Sequence, residues 1–340
     1  MQPISLLIPA YNRPRCLQQQ IDYYNFEKTD FEIIIGDSSA EENKKQNRGI
    51  ALKFPGLKIK YLEYPEQTEP YRKFSDMLAQ AKGEYSVFCG DDDFLVPGGV
   101  EKCADFLEKN KDFSVAHGYY IAFWLKEGRF FWETRYPEES LVSENPKERL
   151  FEHLSKYVLP TFYGVHRTQP FKEAYKELLD SKADTVIFGE MVPSLISVIC
   201  GKTKTLEVMY MARQVGPRQD HRPTPIEYMK QGRYEKEYAK FRNCLARKLS
   251  EKTGEEFGSS QKIIDRATAI YLKREYGRGP KRILRDLAGK NAYFGKFYKK
   301  AGMFFKKASG GNIDPCYNFK SEYEEDLEKI KKQAIRYSKI

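Results

Sequence analysis

The 340-residue chain is 41% hydrophobic, enough for one large core, and its six cysteines include no CxxC pair and no His/Cys cluster at zinc spacing; we read them as reduced and the chain as cytosolic. Residues 1–9 lack the basic and long apolar regions of a secretory signal, and no stretch reaches the ~18 apolar residues of a spanning helix. The net charge of +10 is uneven, because residues 226–340 hold 28 Lys+Arg against 15 Asp+Glu and the remainder 30 against 33; phosphates, an anionic membrane or acidic glycans would meet the C-terminal third, unless it is an ordinary solvated helical surface.

Ile4–Ile8 is an apolar run of strand formers, followed by the turn cluster Pro9–Pro14, which opens a helix through Cys16, Leu17, Ile21 and Tyr24. A second strand, Phe31–Gly36, ends at Asp37, and a third is predicted at Ile59–Leu62. The segment Tyr71–Lys82 places Phe74, Met77, Leu78 and Ala81 on one helical face and leads into a strand at Tyr85. Alternating strands and helices predict a mainly parallel sheet, with ligands beyond the carboxyl ends of its strands. Tyr11, Asn12 and Arg13, then Asp37, then Asp91–Asp93 fall at such ends, so one crevice can collect them.

The three acids close an apolar strand, Val87–Cys89, after a glycine. Adjacent carboxylates repel one another at neutral pH, so their grouping implies a cation or donors nearby. Their hard oxygens suit Mg²⁺ or Mn²⁺, Mg²⁺ usually taking one or two protein carboxylates plus substrate phosphates. The simpler alternative is that they cap a helix beginning near Pro97. No GxGxxG follows the first strand and no GxxxxGK[ST] occurs, which argues against a dinucleotide dehydrogenase and a P-loop NTPase.

Beyond a helix over 100–109, strands are predicted at Ser114–Tyr120 and Thr205–Met211, with Gly128–Thr134 pairing nearby. Phe123, Trp124, Phe130, Phe131, Trp132, Tyr136 and Tyr163 form either a stacking wall for sugar rings or, as is commoner, core. Helices follow at Phe171–Leu179 and Met191–Ile199, and Glu190 stands at the start of the latter. Ala212–Pro225 reads as a long cationic loop whose Arg213, Arg218, His221 and Arg222 can close over a phosphate-bearing ligand, or as a plain exposed linker. From Ile226 the pattern is helical.

Leu7–Pro14 (LIPAYNRP), Ile34–Ser38 (IIGDS), Ala81–Tyr85 (AKGEY) and Gly90–Gly98 (GDDDFLVPG), in that order, resemble a family 2 glycosyltransferase of the GT-A fold. The likeness is clear over the first 110 residues, weaker to Pro225 and absent beyond. It implies an α/β, Rossmann-like sheet flanked by helices over 1–225, divided into a nucleotide-sugar half (1–115) and an acceptor half (116–225), with a basic α-helical region at 226–340. It further implies inverting transfer from a nucleotide diphosphate sugar to a glycan or lipid-linked acceptor, with Mn²⁺ or Mg²⁺ as cofactor. By the same likeness Pro9, Tyr11, Asn12, Arg13 and Asp37 hold base and ribose, and Asp91 with Asp92 the nucleotide sugar. Asp92, supported by Asp91 or Asp93 and by His221 from a flexible loop, takes the metal; Lys73, Arg213 and Arg218 share the phosphate charge. Glu190 is the implied catalytic base and Asp184 its reserve, although the family's Glu-Asp pair is Gly189-Glu190 here. Nucleotidyl transfer on a similar scaffold is the competing reading, with nucleic-acid binding by the basic third a weaker one. The interleaved aromatics and lysines of residues 291–307 would suit either an anionic membrane surface or packing on their own domain.

Overall fold

A computed structural model describes residues 2–135, 139–156, 159–215, 223–276 and 322–338. Its N-terminal part alternates β1 (Ile4–Ala10), α1 (Pro14–Phe26), β2 (Glu32–Asp37), α2 (Glu41–Leu52), β3 (Lys58–Glu63), α3 (Pro70–Ala79) and β4 (Tyr85–Phe88). β1 and β4 are apolar almost throughout because they lie inside the sheet with helices on both faces, the usual pattern of a parallel strand. Proline opens α1 and α3 at the first turn, where its missing N–H costs nothing; Glu69 caps α3 by accepting from Arg72 N at 2.7 Å.

After β5 (Phe94–Leu95) and α4 (Pro97–Lys109) come the hairpin β6 (Phe113–Lys126) and β7 (Arg129–Arg135), then α5 (Pro146–Ser155), β8 (Val165–Arg167) and α6 (Thr168–Ser181). The chain continues through α7 (Thr185–Phe188), α8 (Met191–Cys200), β9 (Lys202–Gln214), α9 (Pro225–Lys230), α10 (Tyr234–Thr253), α11 (Phe257–Tyr276) and α12 (Glu322–Ser338). The sheet order is β3-β2-β1-β4-β8-β6-β9-β5, with β7 beside β6. By paired length it is mostly parallel: β3-β2-β1-β4 and β6-β9 run parallel, while β8, β5 and β7 enter antiparallel. From β1 the chain passes first to β2 and β3 and later returns to β4 on the other flank, so a crevice opens at the carboxyl ends of β1 and β4.

Two apolar layers cover the sheet. One joins it to α1, α4 and α12, through residues such as Leu17, Tyr24, Val100 and Ile330. The other unites α3, α5, α6 and α8 with α10 and α11, through Met77, Leu150, Phe171, Leu195, Phe241 and Ile264. Both helical segments described after residue 226 thus share core with the sheet that carries the crevice.

Two sequence expectations change. The sixth strand extends to Lys126, because its whole length is paired by β7 or β9. The ninth extends to Gln214, which moves Arg213 from a loop into a strand. For the aromatic residues the commoner of the two readings, core, describes Phe123, which is fully buried and stacks on Phe130 at 5.1 Å, and Phe130 and Trp132, which pack against the first layer; Trp124 stacks on Phe131 across the hairpin. Tyr136 lies outside the described residues.

Candidate active site

Two loops form one wall of the crevice. Asn12, in the left-handed region at φ 53°, a conformation asparagine tolerates, turns the chain out of β1. Its Oδ1 accepts from Ala40 N at 2.8 Å and Asn43 Nδ2 at 3.0 Å, and its own N–H donates to Ser39 Oγ at 2.8 Å. Asp37 is fully buried and accepts from Ser39 N and Asn47 Nδ2, both at 2.7 Å, and from Tyr61 Oη at 2.5 Å. Lys73, projecting from α3, joins the loops from below by donating to Ala10 O at 3.1 Å and Ser38 Oγ at 2.8 Å. Burial pulls its ammonium down to about 8, although Asp91 and Asp37 act in the opposite sense. Tyr11 is half exposed at the rim and Pro9 lines the crevice floor.

The acidic loop is fixed from behind by Gln20, a residue the sequence reading did not single out. From the core-facing side of α1 its Nε2 donates to Gly90 O at 2.7 Å and Asp93 O at 2.8 Å. A glutamine beside Leu17, Ile21 and Tyr24 on an otherwise apolar stripe was the available signal. The three carboxylates then diverge. Asp91 accepts from Tyr11 N at 3.3 Å and from Arg13. Asp92 pairs with the other arm of the same guanidinium. Asp93 turns away and accepts from Gln214 N at 2.9 Å and Arg213 Nε at 3.3 Å. Burial pushes the Asp91 carboxyl up to about 7, Arg13 opposing the shift and Asp92 adding to it; Asp93 is raised likewise, with Arg213 opposing. Val96, not an acid, occupies the cap position of α4, and no side chain caps it, so the helix-capping alternative fails.

Across the crevice a cavity of about 60 Å³ opens between Gly90 and Glu190, walled by Tyr71, Phe74, Phe162 and Tyr163. The Arg213 guanidinium lies 5.0 Å from the Tyr163 ring centre, linking this wall to Asp93. Residues 5–170, which supply every strand end of the crevice except that of β9, match the family model described as Glycosyl transferase family 2. The chain carries a glycosyltransferase family 2 domain. "Uncharacterized glycosyltransferase YwdF" of Bacillus subtilis (strain 168) is 27% identical over 135 residues, 39% of this chain and 47% of that protein, so the match spans about half of the relative's length. The structure of S. aureus TarS 1-349 in complex with UDP-GlcNAc aligns with a TM-score of 0.51 and 16% identity, covering 82% of this chain and 74% of that one, a likeness of fold.

Within this glycosyltransferase domain and its continuation the two candidate bases have different surroundings. Glu190 begins α8 and lines the cavity. Asp184 caps α7, accepting from Val186 N at 2.9 Å, and is further engaged by Tyr228 Oη at 2.9 Å and Arg233 at 3.3 Å. Arg218 and His221 lie outside the described residues, as do 291–307. Among the described residues no three His, Cys, Asp or Glu side chains converge on a metal position. The chemistry of the donor set still fits a divalent ion that arrives on a diphosphate: all three acids face an arginine, but the Asp92 side chain is 29% exposed, whereas those of Asp91 and Asp93 are 0% and 4% exposed.

Proposed function

We propose that this chain is a metal-dependent, inverting glycosyltransferase that moves a sugar from a nucleotide diphosphate sugar to a hydroxyl of a glycan or lipid-linked acceptor. The observation that supports the reading is a small aromatic-walled cavity lined by Glu190 and by Gly90, the residue next to the acidic loop, at the carboxyl ends of β1 and β4, two strands of the family 2 match. Tyr11 and the loops knit by Asn12 receive the base and ribose, Asp37 sets their geometry from beneath, and Arg13 and Arg213 supply positive charge beside the diphosphate. A divalent ion, Mn²⁺ or Mg²⁺, would be held by Asp92 together with the donor's phosphate oxygens, and would neutralise charge on the departing nucleotide. Tyr71 and Tyr163 confine the sugar so that the acceptor oxygen meets the anomeric carbon on the face opposite the diphosphate. As that bond forms, the Glu190 carboxylate takes the acceptor's proton, and the electron pair of the breaking bond leaves with the nucleotide diphosphate.

The donor class is the one named for TarS in its complex with UDP-GlcNAc. No helix of the described residues is long and apolar enough to cross a membrane. Action in the cytoplasm, with peripheral contact at an anionic inner face where the acceptor is lipid-linked, belongs to the same proposal. The test is turnover of a panel of nucleotide sugars with Mn²⁺, for the parent and Glu190→Gln. Donor binding should persist in the variant while transfer falls by ~10²-fold or more, the usual range for a lost general base. No turnover and no nucleotide binding by the parent would overturn the reading. If Asp184→Asn shows that pattern and Glu190→Gln does not, the base is Asp184.

A further inference from the structure

Arg13 stands directly before α1 and spans two carboxylates with one guanidinium, one arm on Asp91 and the other on Asp92. Its side chain is 34% exposed, so one end of this bridge is wet while Asp91 beneath it is fully covered. Asp93 has a separate cation in Arg213, and Asp91 retains the Tyr11 N–H and the nearby Lys73 charge whatever Arg13 does. Asp92 is differently placed. It is the exposed acid of the loop, and the proposed metal position is the one Arg13 now neutralises. A guanidinium and a divalent ion repel one another on a single carboxylate, so each weakens the other's hold on Asp92.

Building on the metal-dependent reading above, we propose that Arg13 is an exchangeable counter-cation. It keeps Asp92 closed to free divalent ions and cedes it when a nucleoside diphosphate arrives, because the phosphate oxygens offer the released guanidinium a second anion. The metal therefore binds with the nucleotide rather than ahead of it. Metal and nucleotide sites are thereby coupled, and coupling of this kind is reciprocal and commonly ~5- to 150-fold in affinity.

The exchange is tested without turnover by titrating Mn²⁺ into the full chain and following the spin-resonance signal of the free ion, with and without uridine diphosphate. The parent should bind Mn²⁺ weakly alone and about tenfold or more tightly with the nucleotide. Arg13→Met should bind Mn²⁺ alone about tenfold more tightly than the parent and lose most of the nucleotide's enhancement. Arg13→Lys, which keeps a charge but cannot bridge both acids, should fall between them, and adding Asp92→Asn to Arg13→Met should abolish the gain. Arg13→Lys also carries the test should Arg13→Met fail to fold. If the parent shows nucleotide-dependent Mn²⁺ binding and neither Arg13 variant binds the free ion more tightly, the exchange is refuted while the metal-dependent reading stands. If the parent binds no Mn²⁺ with uridine, guanosine or thymidine diphosphate, the metal-dependent reading itself fails.

Discussion

Replacing Gly189 by alanine puts a methyl group where the protein has no room for one. The backbone there is ordinary right-handed helix, φ −61° and ψ −39°, so conformational strain plays no part. The obstacle is space: a Cβ would lie 2.3 Å from Tyr71 Cε2, 2.4 Å from its Cζ and 2.5 Å from Thr185 O, where ordinary contact is 3.4–4 Å. The ring would have to retreat by about 1 Å, but it is buried and packs edge-on against Phe74 at 5.3 Å. Overpacking of this sort costs about 1–3 kcal/mol, and the displaced ring would also narrow the cavity that Glu190 lines. Urea unfolding of the parent, Gly189→Ala, Tyr71→Leu and the double variant measures the clash directly. The smaller leucine should relieve the ring's share of the clash, the contact with Thr185 O remaining, and so give a favourable coupling of about 0.5–3 kcal/mol between the substitutions. Stability of Gly189→Ala within about 0.5 kcal/mol of the parent, or additive effects, would refute the argument. The same contact leaves no room at position 189 for the acidic side chain that the family resemblance implies there.

Asp92→Asn should abolish Mn²⁺-dependent transfer and leave the urea midpoint within experimental error, since it lightens a crowded anionic loop; Mn²⁺-stimulated turnover equal to the parent's would refute the assignment. Lys73 should make stability depend on alkaline pH. Its folded ammonium gives up its proton near 8 rather than near 10.5, so between those values the unfolded chain binds more protons and stability rises with pH. Relative to Lys73→Met, the parent should gain about 2 kcal/mol between pH 7 and 9.5 in urea unfolding, and a pH-independent difference between the two would contradict this. Phe241 is fully buried and stacks on Phe188 at 4.4 Å, directly before Gly189 and Glu190. Phe241→Ala should therefore cost about 3–5 kcal/mol, and a loss below 1 kcal/mol would show that α10 does not brace α7.

The strands that frame the crevice were legible because burial on both faces makes them continuous apolar runs ending in abrupt polar clusters, as at Ile35-Gly36-Asp37 and Cys89-Gly90-Asp91. Shorter strands carry no such signal. β5 has two residues and β8 three, too few for any periodicity, and both are defined by partners distant in the sequence, β9 for one and β4 with β6 for the other. Arg213 was read as a loop residue because a cation at a strand end looks like solvent-exposed chain, whereas here it is drawn in by Asp93 and the Tyr163 ring. Side-chain commitments were less visible still. The sequence shows that Asp37, Lys73 and three acids share an end of the sheet, but not that Lys73 ties loops together or that each acid faces a different partner. Those facts depend on contacts between segments tens of residues apart.

The docking of α12 has a consequence for synthesis. Tyr323, Leu327, Ile330 and Ala334 close the layer over α1, and Gln333 exchanges hydrogen bonds with Gln19, 314 positions earlier. Made from its amino end, the chain can pair β1 to β4 and β9 early. The apolar strip later covered by α12 stays wet until residue 338 has left the ribosome, because nothing earlier in the described chain occupies that place. Closing so long a loop adds little to the equilibrium cost, since loop entropy grows only with the logarithm of length, but it delays the step. A nascent chain halted before residue 322 should thus display a sticky face to chaperones that the finished protein conceals.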